Sequence, residues 1–127
     1  MLDLIIKNGK CYIDGDLKEV SVGVKGGKID KIGEISSDAK ETIDAKDLLV
    51  LPGCIDTQTH FREPGSTDTE DLHSGSRAAV VGGITAVFEM PNTNPPTSTF
   101  DEFNKKLEAA KNRMFCNYAF YFGATPN

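Results

Sequence analysis

Cysteine and histidine are scarce in this chain, and long apolar runs and phosphate-binding glycine signatures are missing. Cys11, Cys54 and Cys116 lie far apart and fit no CxxC spacing. That sets aside a disulfide framework and suggests free thiols in a reducing cytoplasm. No window approaches a membrane span, and Met1–Ile6 lacks a basic leader, so no signal peptide is expected. Neither GxGxxG nor GxxxxGK[ST] occurs. Excess positive charge is missing too. Lys and Arg number 14 against 19 Asp and Glu, a net charge of -5, which argues against nucleic acid or an anionic membrane as the main partner. What remains is 127 residues, 39% hydrophobic and 26% charged, the composition of a globular protein.

Two organisations meet near residue 48. In residues 1–48, Leu2, Leu4 and Ile6 alternate, as do Val20, Val22 and Val24, with turn signals at Asn8-Gly9, Asp14-Gly15 and Gly26-Gly27. Alternation with tight turns predicts a small antiparallel sheet, one face buried and one wet. Thr42–Asp44 reads as a further short strand.

Across residues 49–127 the period changes. Leu49–Ile55 is nearly continuous apolar, which suits a strand covered on both sides. Thr67 and Glu70 have the spacing of a capping box, predicting a helix through Arg77–Val80 that ends at Gly82-Gly83. Ile84–Met90 reads as a second strand, stopped by Pro91. Thr99–Glu102 opens a second helix, with Phe100, Phe103, Leu107 and Ala110 on one face and Glu102 paired to Lys106. Asn117–Phe122 reads as a third strand. Strand, helix, strand, helix, strand implies a parallel sheet. The expected class is α/β: the start of a (β/α)8 barrel, preceded by a small antiparallel β-sandwich segment. Such a barrel takes about 250 residues, so the chain is expected to be an N-terminal portion, with Phe115, Tyr118 and Phe120–Phe122 near an open edge and poor solubility alone.

Chemistry concentrates in Asp56–Gly65. Side chains two apart on a strand share a face, so Asp56, Gln58 and His60 are expected together, with Arg62 and Glu63 just past the strand end. Imidazole suits zinc and related ions, which makes His60 a candidate ligand. A guanidinium at the carboxyl edge of a parallel sheet can hold a carboxylate through paired hydrogen bonds. The plainer expectation for Arg62 is a surface ion pair with Glu63 or Asp71. Asn92 follows His60 by about one βαβ unit and is expected at the same rim, one strand over. His73 reads as a solvated helix residue.

Pro52-Gly53, Asp56-x-x-x-His60-Phe61-Arg62-Glu63-Pro64-Gly65, Arg77-Ala78-Ala79, Gly82-Gly83-Ile84-Thr85 and Met90-Pro91-Asn92-Thr93-Asn94-Pro95 together resemble a dihydroorotase of the amidohydrolase superfamily. The resemblance runs over essentially the whole chain. It implies a cytoplasmic, zinc-dependent hydrolase opening a carboxylated cyclic amide in pyrimidine biosynthesis, with His60 as a zinc ligand and Arg62 and Asn92 on the substrate carboxylate. It implies one or two Zn2+ in the complete protein, a homo-oligomer, and catalytic residues outside this chain. Gln58 departs from the family's His-x-His, and a neutral amide is a much poorer zinc partner than imidazole. Two alternatives follow from that departure: a non-catalytic assembly partner of aspartate carbamoyltransferase, or a related cyclic ureide hydrolase such as an allantoinase.

Overall fold

A computed structural model describes residues 1–126, and the chain splits into two compact units, Met1–Pro52 and one that starts at Gly53. No helix among the described residues is long and apolar enough to cross a membrane.

The first unit is all strand: β1 (Leu2–Lys7), β2 (Lys10–Ile13), β3 (Asp16–Glu19), β4 (Ser21–Lys25), β5 (Lys28–Gly33), β6 (Ala39–Asp44) and β7 (Leu49–Val50). Two of the turn signals make hairpins. Asp14-Gly15 joins β2 to β3, and Gly26-Gly27 joins β4 to β5; all four residues have positive φ, the turn whose twist matches paired strands. Asn8-Gly9 instead carries the chain from one sheet to another, because β1 pairs with β4 and β6 and never with β2.

The expected antiparallel arrangement is corrected to two mixed sheets, ordered β5-β4-β1-β6 and β3-β2-β7. β6 runs parallel to β1, setting Ile43 opposite Ile6, and β7 runs parallel to β2. Turn chemistry reports only adjacent strands, so both parallel returns escape it. Leu2, Ile5, Cys11, Val22 and Ala45 form the buried apolar set.

The second unit contains β8 (Cys54–Thr59), α1 (Leu72–Val81), β9 (Ile84–Glu89), α2 (Phe100–Ala110) and β10 (Asn117–Phe120). Its sheet, ordered β10-β9-β8, is parallel throughout. The chain is thus mixed α/β with strands dominant, and its parallel sheet is open. Leu49–Ile55 is not one strand. Pro52 has no N–H to give a ladder, and Leu51–Gly53 separates β7, which pairs within the first unit, from β8. The division therefore falls at Pro52/Gly53, a few residues beyond the change of period at 48/49. Nor is β8 covered on both sides, since Ile55 is 60% exposed.

Both helices begin on side-chain caps. Asp71, not Thr67, caps α1: its carboxylate accepts from Ser74 N at 2.6 Å, and Ser74 Oγ accepts from Asp71 N at 3.1 Å. Thr67 is spent in a turn, where Thr69 N donates to Ser66 O at 3.0 Å. Thr99 caps α2 by accepting from Glu102 N at 3.2 Å. Phe61, Leu72, Val87 and Ala110 form the buried core between sheet and helices. Fully burying a side chain such as Leu72 or Val87 contributes about 1.5–3 kcal/mol. The inward stripe of α2 is Phe103, Lys106 and Ala110, while Phe100 is 80% exposed and Leu107 36%. The apolar face read from the sequence is therefore rotated by about one residue. The aromatics placed near the sheet edge do meet water: Phe115, Tyr121 and Phe122 are 53%, 41% and 49% exposed.

Candidate active site

Parallel strands put all their carboxyl ends on one edge, and the loops leaving β8 and β9 meet there. Met90 N donates to Thr59 O at 2.9 Å and Asn94 N to Pro64 O at 3.1 Å. Gly65, at φ 119, lies so close to Asn94 that a Cβ would come within 2.8 Å of its carbonyl oxygen.

His60 and Asn92 join across this edge, Nδ1 to Oδ1, at 2.9 Å. An amide oxygen only accepts, so Nδ1 is the donor in this bond. The same bond leaves both hydrogens of the Asn92 amide free to donate outward.

Arg62 is exposed. It pairs with neither Glu63 nor Asp71, because Arg113 has taken both. Arg113 grips Glu63 through two bonds of 2.7 and 2.9 Å and lies 3.7 Å from Asp71. Glu63 Oε2 also accepts from Leu72 N at 3.0 Å, tying the loop to the first turn of α1. Hydrogen bonding from Arg113 holds the Glu63 carboxyl below its ordinary range, with Leu72 N adding to the effect and burial opposing it. Glu63 is therefore an anchor, and it frees the neighbouring guanidinium.

Two expected members stand apart. Asp56 Oδ1 accepts from Gln58 N at 3.0 Å, turning that carboxylate onto its own strand, and the Gln58 side chain is exposed. One face shared by Asp56, Gln58 and His60 is thus not what β8 presents. It ends at Thr59, its register against β9 shifts between Asp56 and Thr59, and His60 lies in the loop beyond it. His73 is exposed and meets Phe115 edge-on at 5.0 Å between ring centres.

Beneath the rim lies a pair that sequence reasoning missed. Glu89 and Lys106 are both buried and form an ion pair. Burial pushes the Glu89 carboxyl up to about 7, against the pull of Lys106. The expected Glu102–Lys106 pair does not form, and Glu102 meets Lys105 at 3.0 Å. The signal was available: one charge in the apolar strand Ile84–Glu89 and one on the apolar stripe of the next helix, two buried charges that need each other.

The residues do not fit a zinc centre on their own. His60 offers one imidazole and Gln58 a neutral amide, where zinc takes three or four protein ligands. Among the described residues no three His, Cys, Asp or Glu side chains gather. A groove of about 470 Å³ runs past Asn8, Lys10, Glu34 and Lys46 in the first unit, and one of about 340 Å³ lies between Glu63, Pro95 and Lys106. Neither is lined by His60, Arg62 or Asn92.

An open parallel sheet of this order, with polar groups on the loops at its carboxyl edge, has them where parallel α/β folds build their binding sites. The sequence profile of the Amidohydrolase family matches residues 49–126, and the chain belongs to that family. An allantoinase of Escherichia coli strain SMS-3-5 is 46% identical over 113 residues, which is 88% of this chain and 25% of the relative. The L-hydantoinase (dihydropyrimidinase) of Arthrobacter aurescens superposes with a TM-score of 0.89 at 35% identity, over 99% of this chain and 29% of that one. A D-hydantoinase of Thermus sp. gives 0.80 at 27% identity, over 95% and 27%. The chain spans about a quarter of the length of the curated relatives it matches.

Proposed function

We propose that this chain is a section of a (β/α)8 cyclic ureide hydrolase, one that opens a five-membered ring such as allantoin or hydantoin. The observation that carries the reading is the His60–Asn92 bond across the carboxyl edge of two adjacent parallel strands. It brings an imidazole and a primary amide together at one place. The names of the allantoinase and hydantoinase relatives favour allantoin or hydantoin over dihydroorotate, which is a six-membered cyclic ureide.

In ring opening, water adds to a ring amide carbonyl, the C–N bond breaks, and the nitrogen leaves with a proton. The carbonyl carbon becomes a carboxylate. Asn92 donates to the substrate carbonyl as its oxygen gains charge. Arg62, which makes no hydrogen bond or ion pair among the described residues, draws in the substrate's polar edge and holds the carboxylate as it forms. His60 keeps Asn92 oriented, and its imidazole would be the ligand this edge offers a metal. Zinc, where bound, would activate the water; its remaining ligands would come from residues outside this chain.

The test is ring opening of allantoin, hydantoin and dihydroorotate by the protein at its full encoded length. Ureide turnover that falls at least about 100-fold in Arg62→Ala supports the reading. Preference for dihydroorotate would return the dihydroorotase assignment. Absence of all three activities would leave the assembly-partner role.

A further inference from the structure

Lys106 is the largest fully buried side chain among the described residues, 2% exposed. It sits on a helix whose other charged residues, Asp101, Glu102, Lys105 and Glu108, are exposed or half-buried. Besides its ion pair with Glu89, its ammonium donates to Met90 O at 3.2 Å and to Thr97 Oγ1 at 3.3 Å. It also lies 5.2 Å from the centre of the Phe120 ring.

A buried ion pair is a poor route to stability, because stripping water from both charges costs about what their attraction returns. Two apolar residues of similar volume often do as well or better. What an apolar pair cannot do is donate to a carbonyl and a hydroxyl at fixed positions. Those two acceptors bracket the loop that carries Asn92. Met90 leads into it, and Thr97 closes it by donating its N–H to Pro91 O at 2.9 Å while its carbonyl accepts from Gly123 N at 2.8 Å. Thr93 Oγ1 lies 3.4 Å from Thr97 Oγ1. One ammonium thus ties both ends of the loop to the end of β9.

We propose that Lys106 is a positioning residue: with Glu89 it locks the loop from Met90 to Thr97 so that the Asn92 amide oxygen meets Nδ1 of His60. Lys106 touches neither of the two and acts through the loop backbone. The inference rests on this contact network and not on the reaction proposed above, so its test needs no substrate.

The test follows the ring nitrogens of His60 by 15N NMR in the native protein, in Lys106→Met and in Glu89→Gln/Lys106→Met. The double variant removes both charges, so no carboxylate is stranded in the core. It is expected to melt cooperatively within a few degrees of native. The ring hydrogen, held almost wholly on Nδ1 in the native protein, should reside there in only a minority of double-variant molecules. A folded double variant that keeps the native signature overturns the proposal. So does a double variant that cannot fold where the native protein does, since the pair would then be a stability element.

Discussion

Nδ1 of His60 and Oδ1 of Asn92 lie 2.9 Å apart although 32 positions separate them in the chain. The bond exists because β8 and β9 are adjacent and parallel, so residues just past each strand end reach the same edge. Removing the acceptor should release the ring without disturbing the core, since Asn92 is exposed. Asn92→Ala is therefore expected to shift stability by no more than about 1 kcal/mol while the His60 ring nitrogens lose their fixed tautomer. Unchanged ring shifts would mean the bond does not persist in solution.

Arg113 offers a test of the loop anchor. Its contacts with Glu63 are bidentate, and the Glu63 side chain is only 15% exposed. Arg113→Met should cost about 1–3 kcal/mol in urea unfolding, because the carboxylate stays tucked in without its partner. The sign with pH follows from the lowered Glu63 carboxyl. Its contribution is complete above the unfolded value of about 4.5 and fades as pH falls through the lower folded value. The variant should lack that acid-side loss, and an acid limb identical to native would count against the anchor.

Glu89 predicts the opposite slope. Its carboxyl is raised from 4.5 to about 7, so between those values the folded state holds a proton that the unfolded state has released. Stability from this group is greatest below about pH 4.5, falls as pH rises to about 7, and is flat beyond. The whole change is on the order of 3 kcal/mol. Subtracting the profile of Glu89→Gln from native isolates it, because other carboxylates slope the other way. A difference profile that rises over this window would refute the assignment.

Capping separates two substitutions at one position. Asp71→Ala removes the acceptor for Ser74 N and should cost about 0.5–2 kcal/mol, whereas Asp71→Asn keeps an oxygen there and should stay close to native. Equal losses in calorimetry would assign the effect to the charge facing Arg113.

The meeting of His60 with Asn92 was legible in the sequence, because the spacing of one βαβ unit brings the two to one edge. Four other features were not legible, each for a physical reason. The parallel pairing of β6 with β1 joins residues some 37 positions apart (Leu2 with Ala39), and no local turn signal encodes it. The cap of α1 went to Asp71, four residues beyond Thr67, where the Ser74 hydroxyl completes the box that Glu70 was expected to form. Lys106 was given to Glu102 on sequence spacing, yet α2 lies with its Phe103–Ala110 stripe inward, which puts Lys106 against Glu89. Arg62 was offered Glu63 and Asp71 as neighbours in sequence. Arg113, 50 positions from Glu63, claims both in space.

The most direct measurement is ring opening of allantoin by the full-length protein, native against Arg62→Ala and Asn92→Ala. Ureide turnover in the native protein, with each variant losing at least about 100-fold in kcat/KM while both remain folded, is the predicted result. Native turnover that survives both substitutions would show that the edge where His60 meets Asn92 is not where the ring is opened.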